Sequence, residues 1–269
     1  MIRINMSIFN LSKKKSNKIN TIMPLNADKK AYKLDPIERS KLSFDRLALS
    51  ITRLENGEKL LSQNQLEKLG FRCEPFWDTA NDIEGDCYKQ YIKAHPDFSL
   101  SIRSEVANRL IKAQNNLPSN WKIVLKAGFR PLSVQSELFQ AIVNISKKTN
   151  PSFNDKQHIK YARIYVTDPS TKYCPSHITG GAVDIDIFDS STKQFVDMGC
   201  LPNTNGEIAS LHSNKVGLNQ YNNRLTLLRA MLDAEFAPLA NEWWHYQYGE
   251  TYWAAFYGYK TTKYNLITV

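Results

Sequence analysis

The chain has 269 residues, 42% hydrophobic and 23% charged; at about 100–200 residues per domain, one or two well-buried domains need no disulfide or metal staples. No window approaches about 18 consecutive apolar residues, which argues against a membrane-spanning helix, and eleven Gly with eleven Pro exclude a collagen-like or low-complexity chain. Of the net charge of +9, six units fall in residues 1–35, and a basic tail on a nearly balanced body does not fit a nucleic-acid-binding fold.

Residues 1–35 are expected to be a basic, disordered extension, and residues 36–269 a single domain. Arg3, Asn5 and Asn10 interrupt the first apolar residues and the Lys cluster follows them, which is not the layout of a Sec signal peptide. Pro36 suits a first helical position, and Leu42, Leu47, Ile51 and Leu54 extend a rough apolar stripe toward Asn56-Gly57. A short helix is expected over Ser62–Leu69, stopped by Gly70, and residues 71–98 read as irregular and aromatic. Ser101–Leu117 carries the clearest helical periodicity, ended by Pro118. Trp121–Ala127 reads as a strand running into Gly128-Phe129-Arg130-Pro131, and a helix starts near Ser133. Residues 147–160 read as a polar loop and Tyr161–Val166 as a strand. Val183, Ile185 and Ile187 alternate with Asp184 and Asp186, the pattern of a half-buried strand. A loop over 197–220, a helix over Asn222–Phe236 and an aromatic strand over Glu242–Tyr248 follow. Helices and short strands joined by turns, rather than by regular βα units, predict an α+β fold with an antiparallel sheet.

Four cysteines, Cys73, Cys87, Cys174 and Cys200, form no C-x-x-C pair. Such sparse usage suits a reducing compartment, so a cytoplasmic location is expected, with a periplasmic or non-Sec secreted one as the alternative.

Two segments place polar groups among apolar ones. In Pro175–Asp184 an imidazole precedes a double glycine and a carboxylate opens an apolar strand. Asp is disfavoured in strands, so Asp184 and Asp186 need a reason, and the glycines let the backbone return His177 toward Asp184. In Glu242-Trp243-Trp244-His245 two indoles wall in a carboxylate and an imidazole, an environment that raises a carboxylate's pKa. A buried His beside a surface Glu would give the same pattern. Residues i and i+3 fall on opposite faces of a regular strand, so Glu242 must sit at an irregular strand start if it is to join His245. Taken together, His177, Asp184 and His245 supply three ligands and leave a fourth position open, the layout of a catalytic zinc. Glu242 is then the candidate general base and acid, and Arg130 the candidate donor to a developing oxyanion.

These motifs resemble the D-alanyl-D-alanine dipeptidases, zinc peptidases related to the D,D-carboxypeptidases of peptidoglycan metabolism. His-x-x-Gly-x-Ala-x-Asp is met by His177, Gly180, Ala182 and Asp184, Glu-x-x-His by Glu242 and His245, and the arginine segment by Phe129-Arg130-Pro131. Val134-Gln135, Asp197-Met198-Gly199 and Tyr248-Gly249 extend the likeness over about residues 71–260. The resemblance implies a central antiparallel sheet flanked by helices and one zinc per chain on His177, Asp184 and His245. It also implies Glu242 and Arg130 as the catalytic pair and a small D-amino-acid dipeptide as substrate. Three departures stand out. Pro175 replaces a frequent Ser, leaving Ser176 as the nearby hydroxyl; Asp186 replaces the usual Thr; and Cys200-Leu201-Pro202-Asn203 lacks the usual Asp, with no acid before Glu207. Ser176 and Asp186 are therefore the candidate substrate-binding residues, Asp186 as an ammonium partner or a group tuning the metal. The rival readings are a D,D- or L,D-peptidase on peptidoglycan stems, a silent module binding peptidoglycan fragments, and a Cys174–His177 hydrolase.

Overall fold

The structure is a computed structural model that describes residues 25–79, 82–170, 172 and 174–268. The elements run β1 (Leu25–Asn26), α1 (Pro36–Arg39), β2 (Leu42–Ser43), α2 (Asp45–Ala48), β3 (Leu60–Ser62), α3 (Gln63–Lys68), β4 (Arg72–Cys73), α4 (Phe76–Thr79) and α5 (Ile83–Ala94). Next come β5 (Ser101–Arg103), α6 (Ser104–Asn115), β6 (Trp121–Ala127), α7 (Leu132–Thr149) and α8 (Asp155–Ala162). Then follow β7 (Ala182–Asp189), β8 (Gln194–Phe195), α9 (Leu218–Asp233), β9 (Ala237–Pro238), β10 (His245–Gln247) and α10 (Thr251–Tyr257).

The main sheet has the order β4-β6-β7-β10-β9, with β8 added to β7. Every pairing in it is antiparallel except β4 with β6, so the expected α+β architecture is the one that forms. The alternation in β7 explains its central place. Val183, Ile185 and Ile187 are fully buried in one core with Ile123 and Leu125 of β6, Val106 and Leu110 of α6, and Leu227, Leu228 and Met231 of α9. Each such side chain contributes about 1.5–3 kcal/mol relative to an exposed one. The opposite face of β7 carries Asp184 and Asp186, both buried, so carboxylates rather than apolar side chains stand there at the centre of the sheet.

Local differences from the sequence reading have physical causes. The stripe from Pro36 does not form one helix. It divides into α1, the strand β2 and α2, because Leu42–Ser43 pairs with Leu25–Asn26. Residues 155–162, expected as loop running into strand, form α8. Asn154 accepts from Gln157 N, and the Gln157 side chain returns the bond to Asn154 N, a reciprocal cap that starts the helix. The irregular stretch contains the twelve-residue α5, whose cap is the Asp82 carboxylate on Gly85 N at 2.8 Å.

The extension expected over 1–35 falls partly outside the described residues, which begin at 25. Residues 25–35 are packed on the fold. Ala31 is buried, the Tyr32 hydroxyl donates to Ala255 O at 2.8 Å, and Arg39 stacks 5.4 Å from the Phe256 ring. A chain starting at Asp35 is expected to lose about 2–4 kcal/mol relative to one starting at Leu25, on the order of 10 °C in melting temperature. Thermal melts of the two read this directly, and coincident curves would mean that residues 25–34 contribute nothing.

His212, in the loop before α9, is half-buried, with Nε2 2.7 Å from Ser40 Oγ and Nδ1 3.4 Å from Tyr221 OH. Burial, together with the Lys41 and Arg224 charges, pushes its pKa down to about 4 against an opposing pull from Glu38. An unfolded His titrates near 6.5. Between those values the unfolded chain takes up a proton that the folded chain refuses, so stability falls as pH drops through the window. The expected loss is about 2–3 kcal/mol by pH 4. Urea unfolding at pH 7.5 and 4.5 is expected to show a smaller pH dependence in His212→Gln; identical dependence would disprove the assignment.

Candidate metal centre and active-site cleft

His177 sits in a 3₁₀ turn, Ser176–Thr179, closed by Gly180 at φ 70°. The next residue must also be small, since a Cβ on Gly181 would lie 2.4 Å from Tyr248 O. Buried Arg103 braces the turn, donating from Nε to Thr179 O at 2.9 Å and from its backbone N to Gly180 O at 3.0 Å. Asp184 in β7 lies directly opposite His245, the first residue of β10. Glu242 precedes the strand in a turn: its N–H bonds Leu239 O at 3.2 Å and its carbonyl accepts from His245 N at 3.4 Å. That turn resolves the i,i+3 difficulty, because both side chains now reach one site.

His177, Asp184 and His245 each offer a ligand atom within 4.8 Å of the others, and all three are buried. His245 Nδ1 lies 2.9 Å from Asp184 Oδ1, and His177 Nε2 lies 3.3 Å from Asp184 Oδ2. His177 Nδ1 donates to Gly128 O at 2.8 Å, so a neutral ring turns the Nε2 lone pair toward a carboxylate oxygen. Burial favours that neutral form and lowers the His177 pKa, as do Arg130 and His245, against the pull of Asp184. Two acceptors facing each other inside a protein call for a cation between them, and two imidazoles with one carboxylate form a donor set that zinc accepts.

Asp184 is held well below the usual carboxylate range. Burial alone would raise it, but the two imidazoles beside it, His177 and His245, outweigh burial. Glu242 goes the other way, to about 7. Its protein surroundings desolvate it, and Asp184 and Glu84 raise it further, against His245 and Arg130. Its Oε2 lies 3.9 Å from His245 Nδ1, with 37% of the side chain open to the cleft. Arg130 is buried and tied at three nitrogens: Nε to Tyr88 OH at 3.2 Å, Nη1 to Gln135 Oε1 at 2.9 Å, and Nη2 to Glu84 Oε1. Trp77 stacks under Tyr88 with ring centroids 4.3 Å apart. Arg130, Ser176, His177, Asp184, Glu242 and His245, among others, line a cavity of about 1310 Å³.

The sequence model of the peptidase M15 family, described as D-Ala-D-Ala dipeptidase, matches residues 79–265. The chain belongs to that family. It is 28% identical to a D-alanyl-D-alanine dipeptidase of Synechocystis over 57% of this chain and 71% of that protein. It is 26% identical to a D-alanyl-D-alanine dipeptidase of Enterococcus faecium over 53% and 70%. A solved vancomycin-resistance D,D-pentapeptidase, VanY, in complex with Zn(II), is similar with a TM-score of 0.34 at 18% identity, over 56% of this chain and 75% of that one.

In this dipeptidase-family chain the structure brings His177, Asp184, His245, Glu242, Arg130 and Ser176 to one cleft, Ser176 Oγ lying 3.4 Å from His245 Nε2. Asp186 does not join them. It shares the Asp184 side of β7 but lies two positions further along, outside the cavity lining, where it accepts from Ile187 N at 2.8 Å. Burial raises it to about 6, with Lys126 lowering and Glu74 raising it. Glu207 also lies outside the lining, whereas Asn203 is part of it. The Cys174 thiol is buried and its pKa is pushed up to about 11 by burial, with Glu250 adding to the rise, which disfavours a nucleophilic thiolate. Sequence reasoning missed Glu84 and Tyr88. Asp82, three residues before Gly85, was the available signal, because it caps the helix that carries both.

Proposed function

We propose that this chain is a zinc-dependent dipeptidase that hydrolyses D-alanyl-D-alanine or a similar D-amino-acid dipeptide, with one zinc on His177, Asp184 and His245. The observation that carries the reading is the buried His-Asp-His cluster with the Glu242 carboxyl beside it, in a member of this family. Zinc bound there supplies Lewis acidity, polarising the scissile carbonyl and lowering the pKa of water. Glu242, with a pKa near neutrality, accepts the proton of the attacking water and passes it to the leaving amine. Arg130, held in one orientation by Tyr88, Gln135 and Glu84, directs its remaining N–H groups toward the carbonyl oxygen as negative charge develops there. Ser176 is placed to hydrogen-bond substrate at the edge of the cluster. The activity belongs with turnover of peptidoglycan-derived D-amino-acid dipeptides, and the sparse free thiols fit a cytoplasmic setting. No helix among the described residues is long and apolar enough to cross a membrane.

The cavity favours one second reading. Its volume of about 1310 Å³ exceeds the 300–1,000 Å³ typical of small-ligand pockets, room for a peptidoglycan stem peptide. Purified protein assayed on D-Ala-D-Ala, L-Ala-L-Ala and a stem pentapeptide, with and without a chelator, separates the two. The dipeptidase reading expects chelator-sensitive cleavage of D-Ala-D-Ala above the others; preference for the pentapeptide would replace it.

A further inference from the structure

A free dipeptide differs from every longer peptide at one place near the reaction: its ammonium. In ⁺H₃N–Cα–C=O the nitrogen and the scissile carbonyl oxygen are three bonds apart, about 3 Å when eclipsed. A carboxylate that reads the ammonium must therefore stand next to whatever group meets the carbonyl oxygen. On the dipeptidase reading above, that group is Arg130, and the acid in direct contact with it is Glu84.

The other acids of the cleft are committed elsewhere. Asp82 caps Gly85 N, Asp168 accepts from Arg163 and Ser170 N, and Asp45 accepts from Ser43 Oγ. Glu250 caps α10 through Tyr252 N at 2.8 Å and Trp253 N at 2.6 Å, and Asp86 is exposed. Asp186 and Glu207 lie outside the lining, and Asn203 carries no charge. Glu84 is 83% buried as a side chain, lines the cavity, and takes Arg130 at Oε1. Among the described residues Arg130 is its hydrogen-bond partner, so Oε2 remains for a second donor, well within the capacity of a carboxylate.

We propose that Glu84 receives the substrate's free ammonium while Arg130 meets the neighbouring carbonyl oxygen. The ion pair then presents one anion and one cation at the spacing of the dipeptide's own ammonium and carbonyl. Glu84 is thereby the residue that selects substrates with a free amino end, and the Arg130 contact fixes where its carboxylate points.

The test compares zinc-loaded wild type and Glu84→Gln on D-Ala-D-Ala and on N-acetyl-D-Ala-D-Ala. Wild type is expected to prefer the free dipeptide. Glu84→Gln is expected to raise KM for the free dipeptide roughly 10–150-fold relative to KM for the acetylated one, the worth of a buried charge-assisted hydrogen bond, on top of any fall in kcat that a loosened Arg130 brings to both. An equal fall in kcat on both substrates with the ratio of KM values unmoved would mean that Glu84 acts only by holding Arg130, and an unchanged pair of KM values would remove it from the site; either result overturns the proposal. Wild type inactive on both dipeptides would instead overturn the dipeptidase reading, and this proposal with it. If Glu84→Gln does not fold, Glu84→Asp keeps the charge with a shorter reach and is expected to move the same ratio several-fold; an unmoved ratio overturns the assignment.

Discussion

Glu242→Gln is expected to lower kcat on D-Ala-D-Ala by about 10²–10⁴-fold, the usual loss on removing a general acid–base group, while zinc content and fold stay as in wild type. The separation follows from the geometry. Glu242 lies beside the metal cluster but is not part of it, with Oε2 3.9 Å from His245 Nδ1 and over a third of its side chain open to the cleft. Gln fills the same volume, keeps a hydrogen-bonding end and takes away the proton acceptor. The backbone turn that places residue 242 is held by main-chain bonds to Leu239 and His245, which the substitution leaves intact. The pH profile gives a second readout. With Glu242 near 7, acidification protonates the base and the rate falls on the acid side. The variant, having no carboxyl there, is expected to lack that limb. Metal analysis beside steady-state kinetics makes the check, and a variant within a few-fold of wild type would mean that another group takes the proton.

The candidate site is more legible in the sequence than the fold around it because its proposed ligands are locally encoded. His177, Gly180, Ala182 and Asp184 lie within eight residues, and the glycines that turn the chain are visible as glycines. Glu242 and His245 are three apart, and only the secondary structure between them differs, a turn standing where the aromatic pattern predicts strand. Arg130 was legible as a charged residue after an apolar strand. Its partners were not, since Glu84 and Tyr88 arrive from a helix more than forty residues earlier and no spacing rule links them to Arg130. The fold errors share this character. Leu42–Ser43 leaves the helical stripe because a strand partner at Leu25–Asn26 takes its backbone bonds, a tertiary choice overriding a periodicity. Asp186 shows the converse. Strand alternation places it on the face of Asp184, but one face of a strand spans several environments, and two positions along β7 the neighbours are Lys126 and Glu74 instead of the two imidazoles.

Alanine at His177, Asp184 or His245 is expected to cut zinc affinity by more than about 100-fold, beyond the 10–100-fold typical of changing a ligand's outer partners, and to abolish turnover. Asp184 has the widest consequence because it stands between the two imidazoles, one on each carboxylate oxygen. Without it the cluster keeps two neutral donors and no charge to balance a dication. His245 adds a pH dependence. Burial would lower its pKa, but the bond and charge of Asp184, with Glu242, raise it above the usual value, so the metal-free protein holds a proton on this imidazole to higher pH than an ordinary histidine does. Zinc uptake therefore releases that proton, and zinc retention weakens as pH falls through the His245 titration. Chelator competition on wild type and the three variants at pH 7.5 measures the affinities, and repeating it on wild type toward pH 5.5 measures the proton linkage. Full zinc retention in all three variants would place the metal elsewhere. If wild type held zinc equally at both pH values, the proton competition assigned to His245 would be wrong even with the ligand set intact.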